Sequence, residues 1–358
     1  MYKLMTAGPT EVRENVLKAR SMPFTNPDID SDFFDYYKET CELFGKALNT
    51  DNEVFILGGE GILGLEAACA SLTEPGDRVL VIDNGIFGKG FADFVKIYGG
   101  EPVLLTFDYH REIDVSLLED FLSKDSNFKY ATVVHCDTPS GVLNDVISIS
   151  NILHKYNILS VVDSVAAAFG NPLDLSKGHI DILCGGSQKA LSAPPGLTII
   201  WVSKEAFKTM ENRRIPIASF YANILAMKNY YKDKWFPYTM PVSDIMGLRT
   251  ALDNFLEDAD VYKRHSEVAK YTRNAVENMG FSLYLESGFS DTVTVINVPE
   301  GYTDTYILDK LKNDYNILIS GCFDILAGKV IRIGHMGENA HMEKVKEVID
   351  ALGNIIKR

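Results

Sequence analysis

The chain has 358 residues, 46% of them hydrophobic and 23% charged, with a formal net charge of −14. This is an ordinary soluble composition, long enough for two domains and a large core, and its acidity argues against nucleic acid or an anionic membrane as partner. Five scattered cysteines with no CxxC pair argue against a disulfide framework or a zinc site.

The start of the chain lacks a long apolar signal core and the apolar runs are too short to span a bilayer, so a cytoplasmic location is expected. After the apolar triplet Val54-Phe55-Ile56 comes Gly58-Gly59-Glu60-Gly61-Ile62-Leu63-Gly64, opening onto Leu65-Glu66-Ala67-Ala68. A glycine-rich turn into a helix exposes backbone N–H groups at the positive end of the helix dipole, which suits a phosphate. The GxxxxGK[ST] lysine is missing, so it is not a Walker loop, and a plain strand–helix connection is the alternative.

The run Arg78 to Asp83 reads as a strand. It is followed by Asn84-Gly85-Ile86-Phe87-Gly88, where Phe87 either lies on a planar ring or belongs to the core. Further strand runs cover Pro102 to Phe107 and Tyr130 to His135, with a helical pattern from Val115 to Leu122 between them. The third run leads into Cys136-Asp137-Thr138-Pro139-Ser140-Gly141, polar groups that are also ordinary turn formers.

Two further apolar runs end in charged residues. Leu159-Ser160-Val161-Val162 ends at Asp163, and Ile180-Asp181-Ile182-Leu183-Cys184 leads through Gly185-Gly186-Ser187-Gln188 to Lys189. An amine and a carboxylate delivered by neighbouring strand ends are what pyridoxal 5′-phosphate chemistry requires. The lysine forms a Schiff base with the aldehyde, and the acid keeps the pyridine nitrogen protonated. Asp163 has an N-cap role as its alternative, and Lys189 that of a snorkelling surface residue. Ser187 and Gln188 can hydrogen-bond a phosphate or ring.

The strand run Leu197 to Val202 follows, and alternating β and α elements imply a mostly parallel sheet covered on both faces. The pattern changes near residue 250. A long helix signal from Thr250 through Gly280 precedes two strand candidates, Val293 to Val298 and Val330 to Ile333, with helices at Thr303 to Asp314 and His341 to Ile356. This divides the chain into an α/β domain over 1–250 and a smaller C-terminal α+β domain over 251–358.

Four segments resemble those of a known family: Ala7-Gly8-Pro9-Thr10, Ser187-Gln188-Lys189-Ala190-Leu191 with Ala193-Pro194-Pro195-Gly196, Pro237-Tyr238-Thr239-Met240-Pro241, and Arg332 within Ile331-Arg332-Ile333-Gly334-His335-Met336-Gly337. Over nearly its whole length the chain resembles the class V, fold type I pyridoxal-phosphate aminotransferases, particularly the alanine–glyoxylate and serine–pyruvate group.

The resemblance implies a transaminase for a small amino acid (alanine, serine or aspartate) and a 2-keto acid such as glyoxylate or pyruvate. It implies Lys189 as the cofactor-bearing amine, Asp163 on the pyridine nitrogen, Phe87 on the ring and Thr138 beside it. Glu60, Gly61, Ile62, Ser187 and Gln188 would surround the phosphate region, with Arg332 and Gly8 at the substrate. Thr239 would reach the phosphate of the neighbouring subunit, making a homodimer with its active site at the subunit interface.

Two departures stand out. Glu60 and Ile62 occupy a loop where close relatives carry small or polar residues, and an acid beside a phosphate is unfavourable unless it points away. A cysteine desulfurase or lyase using Cys322 is the alternative within the fold. A non-catalytic nucleotide-binding module is the alternative outside it.

Overall fold

The computed structural model describes residues 2–356. Seven strands form the central sheet, in the order Glu53–Gly58, Leu197–Val202, Ile182–Gly186, Leu159–Asp163, Tyr130–Val134, Arg78–Asp83 and Glu101–Thr106. All run in one direction except Leu197–Val202, which is antiparallel to both neighbours. The mostly parallel α/β architecture is thus present, with one reversed strand.

The strands at 159–163, 130–134 and 182–186 are buried along nearly every residue, as expected for strands covered on both faces. Trp201, Tyr37, Tyr130, Phe34 and Phe44 are the largest fully buried side chains of its core. Because six strands share a direction, the glycine-rich turn after Gly58, Asn84 to Phe87, His135 to Thr138, Asp163 and Gln188-Lys189 all emerge at the same sheet edge. This is where open α/β sheets place ligands.

Beyond the sheet, the expected long helix is two helices, Val242–Glu257 and Val261–Asn278. Asp258 breaks the run. Its backbone leaves the helical region (ψ 88), and its side chain accepts from Asp260 N–H at 3.2 Å and pairs with Arg264. A short carboxylate competes with helical bonding in this way.

A second core gathers Val268, Val276, Ile296, Ile307, Leu311, Ile331, Ile333, Val345 and Val348 around the antiparallel pair Val293–Asn297 and Val330–Gly334. The start of the chain joins this core. Lys3–Leu4 pairs in parallel with Ile317–Leu318, and Met5 is fully buried there. The following residues then cross to the sheet edge. Gly334 makes that crossing possible, because a Cβ there would sit 1.9 Å from the Thr6 carbonyl oxygen. No helix among the described residues is long and apolar enough to cross a membrane.

Candidate active site

A cavity of about 210 Å³ opens at the sheet edge, lined by Glu60, Gly61, Ile62, Leu65, Phe87, Cys136, Thr138, Asp163, Val165, Ala166, Gln188 and Lys189. Each strand end contributes one piece. Asp163 closes its strand and is buried, with Oδ1 accepting from Val165 N–H at 2.9 Å. A turn follows it rather than an α-helix, so the carboxylate is not a helix cap. Burial pushes its pKa up to about 7, because a carboxylate stripped of water resists ionisation.

Lys189 Nζ donates to the Ala7 carbonyl at 2.6 Å, and Gly8 leaves room for it. A Cβ on Gly8 would lie 2.6 Å from Nζ. Burial, and then the positive charge of Arg332, bring the Lys189 amine down to about 8. Thr10 braces the same turn, its hydroxyl donating to the Lys189 carbonyl at 3.1 Å.

Arg332 comes in from the second core. Its Nε donates to the Gly321 carbonyl at 2.8 Å and its Nη1 to the Thr138 carbonyl at 3.3 Å. It is buried, and no acid of the described residues forms an ion pair with it. A buried guanidinium without a carboxylate is costly, and a carboxylate ligand would supply the missing charge. No cluster of three or more His, Cys, Asp or Glu among the described residues could hold a metal ion.

The class-V aminotransferase family model matches residues 4–321 of this chain. The chain is 37% identical to an uncharacterised aminotransferase of Methanocaldococcus jannaschii over 93% of its own length and 87% of the relative's. It is 33% identical to pyridoxamine–pyruvate transaminase of Mesorhizobium japonicum, covering 98% of this chain and 90% of that one. Its fold superposes on the crystal structure of alanine–glyoxylate aminotransferase from Nostoc sp. with a TM-score of 0.95, at 26% identity, over 99% of this chain and 95% of that one.

The chain is a class-V aminotransferase.

In this aminotransferase most residues singled out from the sequence line the cavity, and Gly8, Ser187, Thr239 and Arg332 do not. The Ser187 hydroxyl donates to the Pro194 carbonyl at 2.8 Å and accepts from Leu197 N–H at 3.3 Å, so it holds the lysine loop closed instead of facing the cavity. Thr239 is exposed and away from this chain's cavity, its hydroxyl donating to Asp28 Oδ2 at 3.0 Å. Phe87 lines the cavity and sets its ring against Phe323, with centroids 5.9 Å apart at 68°.

Sequence reasoning passed over Asp137, which places Phe87. This buried carboxylate accepts from Phe87 N–H at 2.9 Å and from Ser140 Oγ at 2.9 Å. Gly85 (φ 151) makes space for it, since a Cβ there would lie 2.4 Å from the carboxylate carbon. Val165 also escaped notice. It packs against the glycine turn so closely that a Cβ on Gly61 would come within 2.7 Å. The glycines at 85 and 61 are the only signal that could have marked either neighbour.

The ring half of pyridoxal 5′-phosphate fits this donor set: an amine of lowered pKa, a buried acid, and Phe87 and Val165 as apolar walls. The phosphate half does not. At the N-terminus of helix Gly61–Leu72, Glu60 Oε1 accepts from Ile62 N–H at 3.2 Å and Oε2 accepts from Gln188 Nε2 at 3.0 Å. Like charges about 4 Å apart cost roughly 1 to 4 kcal/mol, from bulk water to a protein surface. Lys189 is the only cation among the residues lining the cavity.

Proposed function

We propose that this aminotransferase moves an amino group between a small amino acid (alanine, serine or aspartate) and a 2-keto acid such as glyoxylate or pyruvate, on a pyridoxal ring carried by Lys189. The observation that carries the reading is that Lys189 and Asp163 line one cavity and an acid-free Arg332 bonds the carbonyl of Thr138, which lines it too. The ring, once on a lysine, withdraws electrons from the substrate carbon.

The protein's own groups do the rest. Arg332 takes the substrate α-carboxylate in a bidentate fork, which fixes how the Cα–H is presented. Lys189 Nζ, its basicity lowered, takes that proton and returns it beyond the amino nitrogen, to the ring's exocyclic carbon. Asp163 holds the ring N–H, and Phe87 and Thr138 confine the ring. Gly8 keeps the N-terminal segment close enough for the Ala7 carbonyl to steer the amine. Glyoxylate and pyruvate as acceptors are supported by the activities in the names of the Nostoc and Mesorhizobium proteins.

Thr239 acts in this proposal on the neighbouring subunit of a homodimer. Support comes from exposed apolar side chains close to it: Ile29 follows its partner Asp28, and Tyr221, beside Phe220, stacks on the neighbouring Tyr238. Desulfurase chemistry is disfavoured because the half-buried Cys322 thiol is pushed up by burial, away from the thiolate such chemistry needs.

The test is a panel of alanine, serine and aspartate against glyoxylate and pyruvate. Parallel-line kinetics for at least one pair is the expected result. No keto acid from any pair, together with no borohydride-trapped adduct on Lys189, overturns the reading.

A further inference from the structure

The outer end of the cavity departs from what a phosphate needs. A phosphate dianion calls for N–H donors and cations. Here the helix N-terminus already has its anion, the Glu60 carboxylate, which occupies the Ile62 N–H and the Gln188 amide N–H. Gln188 is buried, and its Oε1 has no hydrogen-bond partner among the described residues. What this end offers to a ligand is therefore the Glu60 carboxylate, an acceptor that calls for a neutral O–H donor.

We propose that the ring enters this site without a phosphate, as pyridoxal or pyridoxamine, with its hydroxymethyl group donating to Glu60. This rests on the reading of Lys189 and Asp163 given above and deepens it, because the vitamin B6 compound becomes a dissociable substrate. The reaction balances without another reactant. Pyridoxamine and a 2-keto acid give pyridoxal and an amino acid. The amino group and two electrons pass to the keto carbon, and the oxygen passes by way of water to the pyridoxal aldehyde. Phosphate binding would set its charge against Glu60, or require Glu60 to leave both the helix cap and Gln188.

Absorbance titration of the full-length protein, freed of bound B6 compounds, with pyridoxal and separately with pyridoxal 5′-phosphate measures the preference. Borohydride trapping and the adduct mass at Lys189 identify which ring is held. Pyridoxal is expected to bind at least about tenfold more tightly, about 1.4 kcal/mol. Pyridoxamine with pyruvate or glyoxylate is expected to release free pyridoxal over many turnovers. Glu60→Gln, which keeps the size and an acceptor but removes the charge, is expected to shift the binding ratio about tenfold or more toward the phosphate ester.

Tighter binding of the phosphate ester by the unaltered protein overturns the proposal, as does a ratio unmoved in a folded Glu60→Gln variant. If that variant does not fold, the ratio in the unaltered protein decides alone. Phosphate-ester adducts that support transamination sink only this inference. Failure of both rings to trap on Lys189 sinks the transaminase reading and this inference with it.

Discussion

The two ends of the cavity solve opposite problems. At the deep end, Asp163 and Arg332 are buried and Lys189 half-buried, and their protein partners are backbone groups: Val165 N–H, the Ala7 carbonyl, and the Gly321 and Thr138 carbonyls. At the outer end Glu60 is already bonded, to the helix it caps and to Gln188. The deep end is therefore where charge is held ready for chemistry, and the outer end is where the protein supplies its own anion.

The comparison can be broken most sharply at Lys189. Lys189→Ala is expected to lower transamination by at least about a thousandfold, since both the anchor and the proton carrier disappear. Near wild-type rates of keto acid formation in the variant would remove the basis of the deep-end assignment. In the unaltered protein, reaction of this amine with an aldehyde should reach half its limiting rate near pH 8, not at the 10.5 of an ordinary lysine. Stopped-flow absorbance across pH reads that midpoint.

Asp163→Asn comes next, with a kcat loss of about a hundredfold or more expected from the neutral side chain. Stability should move the other way. The Asp163 carboxyl titrates at about 7 in the folded protein against an ordinary 3.8, so the folded state keeps a proton that the unfolded chain releases. Its contribution to stability is full below about pH 4 and is lost as pH rises through about 7. Thermal melts without added B6 compound should show the variant gaining on the unaltered protein between pH 5 and pH 8. An unchanged difference would show that the acid is ionised in the folded state.

Arg332→Lys keeps the charge but loses the fork. KM for the amino and keto acids should rise about ten- to a hundredfold with a smaller change in kcat. A fall in kcat alone would move Arg332 from substrate binding to a structural role. Smallest of all, Cys322→Ala should change kcat/KM by no more than about threefold, and sulfide release from cysteine should be absent before and after. Sulfide lost on that substitution would revive the desulfurase alternative.

Much of this was legible in the chain because strand ends carry a local signature. A continuous apolar run that stops at Asp163, and another that leads through two glycines to Lys189, announce a buried charge at a sheet edge whatever the surrounding fold. The helix Val115–Leu122 and the strand Arg78–Asp83 were equally plain, since their periodicity depends on near neighbours alone. The break at Asp258 was not, because the helix pattern on both sides is strong and the carboxylate's preference for Asp260 and Arg264 is a side-chain choice.

The misplacement of Ser187 has a similar cause. A serine beside an active lysine looks available until the loop to Pro194 folds back onto its hydroxyl. Asp137 remained one turn former among several until Gly85 and Phe87 were brought against it from another strand end.

From the order of residues alone came the α/β class, the lysine and its acid, and the oddity of an acidic residue in a glycine turn. Only the folded chain decided that the exposed Glu60 bonds the buried Gln188, that the residues after Met5 return from the second core to seat Lys189, and that Arg332 arrives with no ion-pair partner. The reason is range: hydrophobic periodicity and turn chemistry act over a few neighbouring residues, while the balance of charge in a cavity is set by groups that meet only when distant strand ends share one sheet edge.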